Sequence, residues 1–133
     1  MKLPSLRCKI ELFCSINPSE DPNKIEFAIE NIFPNCKIKI EKFFVKGESN
    51  DFHSLEKVHD AIDSMHSQRI YRRTLEKNVR DNSTWFYLNK QAAFAEKVAI
   101  CEESDESPLG PIKIILTSTD IYGIIDWLIH GDE

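Results

Sequence analysis

Glycine is scarce in this chain, four residues in 133, and no phosphate-cradling loop, glycine-rich dinucleotide turn or G-x-S-x-G elbow occurs. Those absences remove the usual signatures of nucleotide-dependent and hydrolytic enzymes. Serines and histidines are present, but no motif places a nucleophile beside a base, so the chain is expected not to be an enzyme. The four cysteines, Cys8, Cys14, Cys36 and Cys101, form no C-x-x-C pair, which argues against a zinc knuckle or redox centre. They read as free, buried thiols. No apolar run approaches the roughly 18 residues of a membrane helix. Residues 1–7 are short and interrupted by Pro4, unlike a signal peptide. A cytoplasmic protein without membrane or cofactor is the expectation.

What is present fits a single globular domain over residues 1–133, with 41% hydrophobic and 29% charged residues. The net charge of −5 argues against a uniformly basic nucleic-acid binder. Its distribution is uneven, however. Residues 66–97 carry seven basic side chains against three acidic ones, a local +4 that leaves −9 for the remainder.

Residues 7–16 alternate, with Cys8, Ile10, Leu12, Cys14 and Ile16 on one face, and read as a strand. Asp21-Pro22 caps a helix whose stripe is Ile25, Ala28, Ile29 and Ile32. Residues 36–46 read as one second strand and 47–51 as a polar turn. The chain therefore opens β-α-β. Leu55, Val58, Ile62 and Met65 form a helical stripe that, continued in phase, runs into Arg69, Arg73 and Arg80. A core cannot continue through unpaired arginines, and a second stripe, Tyr71, Leu75 and Val79, begins beyond Ser67. A break near residues 66–68 separating two helices resolves the conflict. Strands over 84–88, 97–101 and 112–117, a helical turn over 89–95 and a last helix capped by Ser118, Thr119 or Asp120 complete the chain. The expected fold class is α+β, a mixed sheet with helices packed on one face.

Three residue sets are candidates for chemistry. His59, Asp63 and His66 fall at helical spacing for a metal, yet they lack the fourth ligand or H-E-x-x-H core of a tight site and read better as a solvated helix edge. Arg69, Arg73, Lys77 and Arg80 occupy one helix side, with Arg72 adjacent. Like charges at i, i+4 destabilise a helix by ~0.2–0.5 kcal/mol per pair, so such a row needs either internal carboxylates or an anionic partner. Internal candidates are Asp60, Asp63 and the acidic stretch 102–106. Guanidinium groups suit bidentate phosphate contacts. Trp85, Phe86 and Tyr87 follow, and exposed rings stack on unpaired bases; alternation along a strand sends at least one of them to the core. Asn89, Lys90 and Gln91 then form a compact polar turn, which either extends the positive field or caps a short helix.

The strings Leu88-Asn89-Lys90-Gln91-Ala92-Ala93 and Ser107-Pro108-Leu109-Gly110-Pro111-Ile112, with Gln68-Arg69-Ile70 and the Arg72-Arg73 pair, resemble a small family of uncharacterised archaeal proteins. The resemblance extends from the first strand to Ile129. It implies a fold similar to that of ribosomal protein L-five and a predicted RNA-binding role, in some members exosome-associated, without an established activity. Similar proteins are expected to have a glycine after the LNKQAA turn, where this chain has Ala95-Glu96. The combined expectation is a non-catalytic RNA-binding protein. Arg69, Arg73, Lys77 and Arg80 would contact phosphates, flanked by Arg72, Lys90, Asn89 and Gln91. The alternative is a homodimer or interaction module whose arginine face docks on an acidic surface. An enzyme clamping a phosphorylated small molecule ranks below both, since nothing supplies its base.

Overall fold

Alternating burial organises the chain from its first strand. In a computed structural model that describes residues 7–101 and 110–130, β1 (Lys9–Ser15) buries Ile10, Leu12 and Cys14 and turns Lys9, Glu11, Phe13 and Ser15 outward. Asp21 accepts from the Asn23 N–H at 3.0 Å and opens α1 (Pro22–Ile32), as its Asp-Pro start indicated. The next segment corrects the expectation of one strand. β2 (Lys37–Ile40) and β3 (Phe44–Ser49) are two arms of a hairpin that reverses at residues 41–43. Of the stretch 47–51, expected as a polar turn, residues 47–49 end β3 and Asp51 caps the 3-10 turn that follows. Gly47 belongs in the strand because a Cβ would lie 3.1 Å from Leu12 Cδ1, its neighbour across the ladder.

A 3-10 turn (Phe52–Leu55) leads into α2 (Glu56–Ser64), and α3 (Gln68–Lys77) follows. The break expected between them is present. His66 takes a left-handed φ of 52°, and the Ser67 N–H donates to the Ile62 carbonyl at 3.0 Å. Met65, expected in the apolar stripe, is exposed beyond the helix end. β4 (Ser83–Asn89), α4 (Lys90–Phe94), β5 (Ile100–Cys101), β6 (Pro111–Thr117) and α5 (Ile121–His130) complete the described chain. No described helix is long and apolar enough to cross a membrane.

The strands form one sheet in the order β2-β3-β1-β6-β4-β5, and every pairing is antiparallel. This corrects the expected mixed sheet. The reversal at 41–43 places β3, not β2, beside β1, so the opening β-α-β never makes a parallel pair. Inward residues line up across strands: Val45, Cys14, Ile112 and Leu88 form one row, and Gly47, Leu12, Ile114 and Phe86 the next. The helices cover that face, as expected. Their residues Ile25, Ile29, Ile62, Tyr71, Leu75 and Ile124 join the strand interior in one core. Tyr71 meets Phe86 edge-on, with ring centroids 5.9 Å apart. Burial pushes the Cys8 thiol up to about 12 and the Cys14 thiol to about 11, so both stay protonated and inert at neutral pH.

The end of α4 explains the glycine expected near it. Glu96 closes the helix with φ 60°, its N–H donating to Ala93 and the Lys97 N–H to Ala92. A left-handed residue at this position favours glycine. Glu96→Gly should raise unfolding stability by about 0.5–1 kcal/mol, the relief of left-handed strain less the added freedom of the unfolded chain. A shifted urea midpoint at constant m-value is the expected reading.

Candidate nucleic-acid interface

Helix α3 is held by Tyr71 and Leu75, which it buries, and its polar side faces solvent. Arg69, Arg73, Lys77 and Arg80 are all exposed. They are not equivalent. Arg80 donates to the Val79 carbonyl at 2.7 Å and the Lys77 carbonyl at 3.3 Å, so its guanidinium closes the chain end of α3. Arg72 points to α5 and pairs with Asp126 at 3.0 Å and with Glu76 at 3.5 Å. Neither Arg69 nor Lys77 has an ion-pair partner among the described residues, Asp60 and Asp63 included. The acidic stretch 102–106, the other internal candidate, lies outside the described residues.

The polar turn divides as well. Asn89 is the N-cap of α4, its Oδ1 accepting from the Ala92 N–H at 2.9 Å. Gln91 is exposed. Lys90, expected as a surface cation, is instead fully buried, and this is a correction with a clear cause. Its Nζ donates to the Ser15 carbonyl at 2.9 Å and to Glu20 Oε1 at 3.0 Å, tying α4 to the end of β1 and to the loop before α1. The Glu20 carboxylate also accepts from the Asn17 N–H and side-chain amide. Burial works to raise the Glu20 carboxyl, but those two bonds and the lysine outweigh it and hold the group below its ordinary value. A buried charge paired in this way is shielded from solvent and ties separate segments of the fold together.

On the opposite side of the sheet lies a surface that the arginine reading passed over. Phe86 points into the core, while its neighbours Trp85 and Tyr87 turn away from it and are half-buried. They share their face with Phe13 and Phe44, and none of the four belongs to the core or to the apolar residues packed against it. The strand register alternates cations and rings along one row, Lys46, Phe13, Lys113 and Tyr87, with Lys39 beyond Lys46. Lys46 Nζ lies 5.8 Å from the Phe13 centroid, and Lys113 Nζ 5.3 Å from that of Trp85. The parity of residues 7–16 and 112–117 held the signal for Phe13 and Lys113, because the residues between the apolar ones must share a face. The aromatics and the arginines therefore do not form one surface. Tyr71 of α3 meets Phe86 edge-on, so α3 lies on the side away from Trp85.

The metal candidate does not assemble. His59 donates from Nδ1 to the Leu128 carbonyl at 3.0 Å and stacks on Trp127, while α2 ends before His66. Among the described residues no three His, Cys, Asp or Glu side chains gather as a metal site would require.

These features define a one-sheet α+β protein with helices on one face and a basic, aromatic surface on the other. The chain belongs to the UPF0201 family of archaeal proteins; the matching family model, described as RNA binding, spans residues 9–118. It is 40% identical over 120 residues to the UPF0201 protein of Methanothermobacter thermautotrophicus, covering 90% of this chain and 89% of that one. Identity to the Sulfurisphaera tokodaii protein is 38% over 124 residues, covering 90% and 86%. The crystal structure of the Methanococcus jannaschii UPF0201 protein superimposes with a TM-score of 0.78 at 29% identity, covering 91% of this chain and 92% of that one.

Glu20→Gln should destabilise the fold by roughly 3–5 kcal/mol, the usual effect of removing one partner from a buried pair. The sign with pH follows from the direction of the shift. A carboxyl held below its unfolded value contributes stability above the unfolded carboxylate range, and loses it as pH falls through the folded value. Denaturant midpoints from neutral to acidic pH should therefore fall less steeply in the glutamine variant than in the parent.

Proposed function

We propose that this chain is a non-catalytic RNA-binding protein that holds RNA phosphates with the exposed basic side of α3. The observation that carries the reading is the family match, described as RNA binding, over residues 9–118. The helix adds chemical support: Arg69, Arg73 and Lys77 stand in solvent at spacings of one helical turn. Guanidinium groups so spaced suit bidentate contacts to successive phosphate oxygens. Arg80 flanks them, while Arg72 fixes α3 against α5 through Asp126. Lys90 and Asn89 serve the fold, and Gln91 remains at the surface as a neutral donor. The reading also includes an L-five-like fold class, supported by the LNKQAA and SPLGPI strings together with the helix-covered sheet.

The reading makes a quantitative claim about salt. Three to four phosphate contacts to single-stranded RNA give a slope of log affinity against log salt of roughly −2 to −3. The double variant Arg69→Ala/Arg73→Ala should lower that slope in magnitude by about 1.4 and weaken binding uniformly across RNA sequences. Fluorescence anisotropy with a labelled RNA at two salt concentrations reads both. Binding that is equally tight and equally salt-dependent in the double variant would remove α3 from the interface.

A further inference from the structure

We infer that the uncovered face of the sheet is a stacking platform for unpaired RNA bases. This rests on the RNA-binding reading above and assigns the class of RNA that the chain takes. Antiparallel sheets often leave one face to water, and that face is then usually polar. Here it carries Phe13, Phe44, Trp85 and Tyr87, and no described helix packs on it. Rings on a surface without a core role are the residues that single-strand binders place beneath bases, because every base offers a π-face.

The charge of the face selects the partner. Its residues include Lys9, Lys37, Lys39, Lys46 and Lys113 against Glu11, Glu48 and Glu41, the last paired with Lys39 at 3.4 Å, a local +2 on a chain of −5. A surface positive against the sign of the whole molecule is complementary to a polyanion. The layout is as informative as the sum. Lys46, Phe13, Lys113 and Tyr87 alternate along one row, and strands sit about 4.8 Å apart, so each ring is flanked by an ammonium group within reach of a backbone phosphate. Glu11 and Glu48 face each other in the next row, with Lys9 4.0 Å from Glu11. Two carboxylates there repel phosphate and confine the sugar-phosphate path to the lysine row. Base faces are hidden inside a duplex, whose recognition proceeds by groove shape and 2′-hydroxyls. The platform is therefore matched to single strands, loops or overhangs.

The test uses the full chain, a labelled ten-nucleotide single-stranded RNA and a blunt duplex of the same length. Trp127 lies in the core, where Phe52 meets it edge-on, so quenching of intrinsic fluorescence on titration reports Trp85. The platform requires quenching by the single strand, loss of that signal in Trp85→Phe, and single-strand affinity retained by that variant. Trp85→Ala/Tyr87→Ala should weaken single-strand binding about tenfold or more while duplex binding is unchanged. Lys113→Glu supplies a second variant should the double alanine change not fold, and it should weaken single-strand binding comparably. If Trp85→Ala/Tyr87→Ala and Lys113→Glu bind the single strand like the parent while the Arg69/Arg73 variant does not, the platform fails and the RNA-binding reading stands. If the parent binds neither RNA at low salt, both fail. Should light scattering show a dimer that the Trp85/Tyr87 variant dissolves without loss of RNA affinity, the face is a protein interface and the inference is overturned.

Discussion

The period of two along β1, β6 and β4 is the constraint on which the remainder depends. Once Ile10, Leu12 and Cys14 turn inward, Phe13 must turn outward, and once Phe86 meets Tyr71, Trp85 and Tyr87 must leave the core. A register slip of one residue would bury Lys113 and expose Ile112 and Ile114, so burial of the apolar row fixes the outward row as firmly as itself. The inward row holds the fold through hydrophobic burial, which is roughly proportional to apolar area removed from water. The outward row contributes little to that sum. Its composition is thereby free to follow a demand other than stability.

That separation explains which features the sequence disclosed. Alternation located β1, strand-like composition located β4 and β6, the phase conflict between Ile62 and Arg69 located the break at His66, and Asp21-Pro22 located the start of α1. The hairpin of β2 and β3 was illegible because its reversal, Glu41-Lys42-Phe43, contains none of the Asn-Gly or Asp-Gly signals of tight turns. Missing it also hid the antiparallel order, since only the reversal brings β3 beside β1. Strand order itself is a non-local property, set by how helices seal the inner face rather than by any one segment.

Lys90 shows why residue type misleads at a site. Lysines are rarely buried unless paired, so a lysine in a polar turn reads as a surface charge. Its partner Glu20 is seventy positions away in the chain, and nothing local announces the pair. The same long-range closure that removes Lys90 from the surface anchors α4 onto β1 and leaves Asn89 as a cap. Conversely, Lys46 and Lys113 look unremarkable in sequence, each isolated among apolar residues. Only the cross-strand register assembles them with Phe13 and Tyr87 into one row.

The two basic surfaces lie on opposite sides of the sheet, yet they are rigidly related, and β4 is the reason. The Asn78 side chain, at the end of α3, donates to the Trp85 carbonyl at 2.8 Å, and Thr84 Oγ1 donates to the Leu75 carbonyl at 2.5 Å. These bonds satisfy helix-end and strand carbonyls from side chains one element away, and Thr84 is fully buried where it does so. Tyr71 and Leu75 add packing on Phe86 and the core beneath. The exposed arginines of α3 and the rings beyond β4 are thus held at a fixed separation by a core that neither set enters. Ordering both surfaces in advance lowers the entropy lost when a flexible partner engages them. In a chain of net charge −5, exposed cations are thus grouped on two surfaces whose relative geometry the core already sets.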